Sequence, residues 1–128
     1  MKEKKTITQL YDCVKDVLLR TENLNAVYIG KTYSEESAEK RHQSEYDDTQ
    51  IIAVGSPKII SKAEDFFIKN LKKDLSCLVK IDNKREGSAG NPNANMLYVS
   101  WNVKYETADQ LLEPDFENYY YEITDNLK

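Results

Sequence analysis

The sequence predicts a small α/β domain: a central, mostly antiparallel sheet of three or four strands, with helices packed around it. Three observations predict it. Two stretches carry apolar residues at helical spacing behind capping residues, several short runs are β-prone or alternate with period 2, and turn residues divide them. The chain has 128 residues, one domain at roughly 100–200 residues per domain. Its 40% hydrophobic and 31% charged content is a globular balance. Within that domain the pattern divides into an N-terminal helical part (1–23), a core (24–105) and an acidic extension (106–128).

From Thr6 the positions Ile7, Leu10, Tyr11, Val14, Val17 and Leu18 follow a helical period, and Thr6 with Gln9 has the form of a capping box. Asn23-Leu24-Asn25 ends that helix, and Ala26-Val27-Tyr28-Ile29 reads as a buried strand stopped by Gly30. Ser34 with Glu35 and Glu36 starts a polar helix reaching about Tyr46. Thr49 to Val54 is a strand closed by Gly55-Ser56-Pro57. Ser61 and Glu64 repeat the capping-box pattern ahead of a helix to about Leu75, with Ala63, Phe67, Leu71 and Leu75 inward. Cys77 to Asp82 is a strand, Asn83 to Asn95 a glycine- and asparagine-rich loop, and Met96 to Tyr105 an alternating strand predicted to be the longest. The extension keeps Leu111, Leu112, Phe116 and Tyr119-Tyr120-Tyr121, which can dock.

Eighteen bases against 22 acids give a formal charge of −4 and exclude a coat of basic charge for indiscriminate nucleic-acid binding. A local basic face survives that exclusion. Residues 56–85 hold eight bases against four acids, whereas 106–128 hold seven acids against Lys128 alone; an ordinary solvated helix face is the plain alternative. A single histidine, His42, and two cysteines without CxxC spacing remove the common zinc arrangements. Cys13 and Cys77 are expected as buried free thiols, with one bridge between them as the open alternative. No signal-peptide core, membrane span or Asn-x-Ser/Thr acceptor site is present, so the expected location is the cytoplasm, without a membrane partner. Gly30-Lys31-Thr32 fails as a phosphate-binding loop, because Asn25 stands where the pattern requires glycine.

One grouping of residues remains. Val27-Tyr28-Ile29-Gly30-Lys31-Thr32, Ala38-Glu39-Lys40-Arg41, Ala63-Glu64-Asp65-Phe66-Phe67-Ile68 and Asn83-Lys84-Arg85-Glu86-Gly87 follow one another in order. This series resembles the GIY-YIG nuclease family: its second signature strand, its arginine-bearing helix, its metal-ligand helix and its asparagine-glycine stretch. The resemblance covers roughly residues 26 to 105. The family's first Gly-Ile-Tyr strand has no counterpart, the nearest tyrosine being Tyr11 on the predicted first helix. His42 directly follows Arg41 instead of lying a turn beyond it, where Glu45 and Tyr46 stand.

The resemblance implies a metal-dependent endonuclease that hydrolyses DNA phosphodiesters, of a phage or mobile-element kind. Glu64 would bind Mg²⁺ or Mn²⁺, Arg41 would steady the phosphate oxygens, Tyr28 would orient or deprotonate water, His42 would exchange a proton, and Asn83 would organise the site. Lys31, Lys62, Lys69, Lys84 and Arg85 would lead the DNA backbone in. The missing signature, the displaced histidine and the net acidity fit a second expectation: a catalytically inactive relative binding a protein or small ligand, as an inhibitor in phage–host conflict. Each residue also has a plain structural reading. On that reading Glu64 is only the partner of Ser61 in a cap, Tyr28 a strand aromatic, Arg41 and His42 a solvated helix face, and Asn83 a turn former.

Overall fold

The computed structural model describes residues 3–37, 45–75, 77–83, 93–104 and 114–124. Along the chain run β1 (Lys4–Thr6), α1 (Ile7–Leu19), β2 (Leu24–Thr32), β3 (Asp48–Val54), α2 (Pro57–Leu75), β4 (Lys80–Ile81), β5 (Met96–Val103) and β6 (Tyr121–Thr124). The strands form one sheet in the order β1-β6-β3-β5-β2-β4.

The sheet has six strands and is mixed, which corrects the expectation of a mostly antiparallel sheet of three or four. β5 lies antiparallel between β2 and β3, while β2/β4, β3/β6 and β1/β6 are parallel pairs. Parallel pairing joins segments remote in sequence, such as Lys4 with Glu122, and leaves no hairpin turn to read. The longest strand is β2, nine residues, because it continues through Gly30 instead of stopping there. The strand expected over Cys77–Asp82 is only Lys80–Ile81, preceded by a turn.

α1 starts where its capping box requires. The Gln9 amide donates to Thr6 Oγ1 at 3.1 Å, and the Thr6 amide donates to Gln9 Oε1 at 2.9 Å. α2 starts five residues earlier than the Ser61–Glu64 pattern implies. Ser56 caps it, its Oγ accepting from the Ile59 amide and its carbonyl from the Ile60 amide, and Pro57 fits the first turn because it has no amide hydrogen to satisfy. Ser34 likewise caps the helical residues 35–37 through a bond from the Ser37 amide.

Both long helices cover the same face of the sheet. Leu10, Val14, Phe67 and Leu71 pack there on Val27, Ile29, Val99 and Trp101, and Tyr11 sets its ring edge-on to Phe66 and Phe67 at 5.4 and 5.3 Å. The Tyr11 hydroxyl donates to Asp74 Oδ2 at 2.6 Å, tying α1 to α2. Phe116 inserts beside Trp101 and anchors the C-terminal segment that supplies β6. Cys13 and Cys77 are free; Cys77 is exposed and Cys13 half-buried, so neither thiol is buried as expected. No helix among the described residues is long and apolar enough to cross a membrane.

Candidate functional site

Alternation along β2 decides where its candidate residues point. Val27 and Ile29 enter the helix-covered core, and Lys31 shares their side, its ammonium donating to Ser61 Oγ on α2 at 2.9 Å. Tyr28, between them, projects from the opposite face. There its ring lies 6.2 Å from that of Tyr98 and 6.0 Å from that of Tyr46, in a small cluster with Ile51 and Met96. Gly30 belongs to the same face and faces Tyr98 across the ladder; a Cβ at Gly30 would overlap the Tyr98 ring. Glycine here permits a close side-chain approach to a strand backbone.

The tyrosine face is polar elsewhere. Thr49 Oγ1 and Ser100 Oγ share a hydrogen bond of 2.6 Å, and the Tyr46 hydroxyl donates to Asp82 Oδ2 at 2.8 Å. Burial first, then the hydrogen bond and charge of Asp82, push the Tyr46 phenol well above the ordinary tyrosine range. Tyr46 is therefore a protonated donor and not a base. Its place beside Tyr28 is a tertiary fact, set by the chain's return into β3, with no local signal except its position a turn beyond the arginine-bearing stretch.

Glu64 stands on the other side of the sheet. It sits on the buried stripe of α2 between Ile60 and Ile68, one turn to either side, and is 6% exposed. It is not a capping carboxylate, since the helix begins seven residues before it. Among the described residues no three His, Cys, Asp or Glu side chains gather around one point. Mg²⁺ is commonly held by one or two carboxylates, with water and substrate phosphate completing its shell, and Glu64 is the carboxylate that α2 turns into its buried stripe.

Asn83 has a structural duty. Its Oδ1 accepts from the Ile29 amide at 3.0 Å and its Nδ2 donates to the Ile29 carbonyl at 2.8 Å, so the side chain continues the β4 ladder along β2 after the backbone has left it. Lys62 and Lys69 lie on the exposed side of α2. Arg41, His42, Lys84 and Arg85 lie outside the described residues. Of the expected site, then, the fold docks Asn83 on Ile29, the neighbour of Tyr28 along β2, and divides Tyr28 from Glu64 and Lys31 by the thickness of the sheet. No protein-family model, curated protein or solved structure matches the chain.

Proposed function

We propose that this chain is a catalytically inactive module that binds a protein or small ligand and acts by occupying it, as an inhibitor in phage–host conflict would. The observation that supports this reading is the sheet standing between the Tyr28 phenol and the Glu64 carboxylate. Phosphodiester hydrolysis requires base, metal ligand and phosphate clamp around one scissile group, and misplacement by about 1 Å already costs on the order of 100-fold in rate. The engagement of Asn83 with Ile29 and of Lys31 with Ser61 supports the same reading, because both have local structural partners.

The competing proposal is DNA cleavage with Mg²⁺ or Mn²⁺ through Glu64 and Arg41. Supercoiled plasmid at low salt with either metal separates the two. The binding module leaves the plasmid intact over a wide protein range. Metal-dependent nicking by the wild type that disappears in both Glu64→Ala and Arg41→Ala, with circular dichroism unchanged, would overturn it.

A further inference from the structure

The sheet ends at two strands, β1 and β4, and they differ in what an added strand would meet. In β4 the parallel register sets Lys80 beside Ala26 and Ile81 beside Val27, and the Asp82 amide donates to the Val27 carbonyl at 2.8 Å. Val27 thus bonds the residues on either side of Ile81, as a parallel ladder requires. The amide and carbonyl of Ile81 itself point away from β2 along the outer edge, and among the described residues nothing bonds to them. Side chains alternate along the same strand. Ile81, half-buried, packs toward the helix-covered core, whereas Lys80 and Asp82 leave from the face that carries Tyr46, whose hydroxyl Asp82 accepts. The Lys80 side chain is 79% exposed, with its ammonium 3.6 Å from Asp82 Oδ1. Just before the edge stands Leu78, 68% exposed, the most exposed large apolar side chain among the described residues.

We propose that β4 pairs antiparallel with β4 of a second copy of this chain, about a two-fold axis through Ile81. On that axis the two Ile81 residues exchange both of their N–H···O bonds, and Lys80 stands directly opposite the partner's Asp82. What selects a second copy as the occupant is charge. Lys80-Ile81-Asp82 carries opposite charges one residue to either side of the axis, so an antiparallel copy is its electrostatic complement. Opposite charges directly across an antiparallel pair are favourable and like charges are unfavourable.

β1 lacks this property. The Glu122 amide donates to the Glu3 carbonyl, which turns the backbone of Lys4 outward, and the Thr6 amide is already held by Gln9. Two-fold pairing centred on Lys4 or on Lys5 sets lysine against lysine, a common means of keeping a sheet edge from associating. The contact at β4 joins two six-stranded sheets into one continuous sheet. Because β4 is only two residues long, the dimer is weak and forms at high concentration. The pairing does not rest on the binding-module reading.

The test is sedimentation velocity of the full chain from about 5 μM to about 1 mM, where weak contacts become populated. A thiol reductant is present because Cys77 is exposed. The wild type is expected to rise from 14.8 kDa toward twice that mass as concentration increases. Lys80→Glu sets acid against acid in the pairing and Asp82→Lys sets base against base, so each variant alone is expected to remain at 14.8 kDa. Mixed in equal amounts the two restore both opposite-charge pairs, and the mass is expected to rise again; a merely structural role for either residue gives no such rescue. Ile81→Pro removes the outward amide hydrogen while leaving the Asp82–Val27 bond in place, and it is expected to stay monomeric. A wild type that remains at 14.8 kDa throughout would overturn the proposal and leave the edge to an extended segment of a different protein. So would a mixture of the two charge variants that stays monomeric although each keeps the wild-type circular dichroism, or association that persists in Ile81→Pro. None of these outcomes bears on the binding-module reading, which plasmid cleavage tests separately.

Discussion

At Gly30 a methyl group has nowhere to go, because the Tyr98 ring lies across the strand backbone and is itself held against Tyr28. Gly30→Ala is expected to cost about 1–3 kcal/mol, the usual range for overpacking, and urea unfolding measures it. In a Tyr98→Ala background the same substitution is expected to cost much less, since the obstruction is gone. Asn83 stands in for a strand backbone, so Asn83→Leu strands the Ile29 amide and carbonyl together. A loss of about 2–4 kcal/mol is expected, two buried groups at roughly 1–2 kcal/mol each, with faster hydrogen exchange at the Ile29 amide. The tyrosines add a pH dependence. Burial, followed by the hydrogen bond and charge of Asp74, raises the Tyr11 phenol well above its ordinary value near 10, and Asp82 acts likewise on Tyr46. Such phenols stabilise the fold in their protonated form. Their contribution is complete below about pH 10 and is lost as pH climbs toward the raised folded values. Stability of the wild type is expected to fall from about pH 10 upward, and more steeply than that of Tyr11→Phe/Tyr46→Phe, in urea titrations at a series of pH values.

The elements differ in how far the sequence alone declares them. The start of α1 is legible to the residue, because its signal is local: Thr6 and Gln9 close the capping box and Ile7, Leu10, Val14 and Leu18 make the buried stripe, whereas the helix ends at Leu19, before the Asn23-Leu24-Asn25 break, and Leu24 already opens β2. β5 is legible as an alternating strand, yet both of its faces are covered, with Tyr98 and Ser100 as buried as Leu97 and Val99. β1 and β6 are illegible. Lys4-Lys5-Thr6 and Tyr121 to Thr124 are short and charged, and what makes them strands is their parallel pairing with each other and with β3. The Ser61–Glu64 pattern misleads for a physical reason, since a serine inside the second turn can serve a lysine from a neighbouring strand as readily as a helix end. Phe116 is the anchor on which β6 depends, packed at 5.7 Å from Trp101 and 5.2 Å from Tyr119. Phe116→Ala is expected to cost about 3–5 kcal/mol, and exchange at the backbone amides of β1 and β6 is expected to rise together.

For the molecule as a whole, the governing fact is that one sheet has two unlike faces. The helix-covered face holds the apolar core, Glu64 and Lys31, while the other carries Tyr28, Tyr46 and Tyr98 with a polar surround. The order of motifs in the sequence suggests a common site, but order along the chain does not specify which side of a strand a residue leaves from; a single step along β2 moves a side chain from one face to the other. In the proposed binding module, contact with the partner falls to a surface of one face and not to a site joining Tyr28 with Glu64. The most direct test of that division is the set of nuclear Overhauser contacts from the Tyr28 ring protons in solution. The account predicts contacts to Tyr46 and Tyr98 and none to the side chains of Ile60, Glu64 or Ile68. Contacts from Tyr28 to those α2 residues would contradict it and return the two groups to a single site.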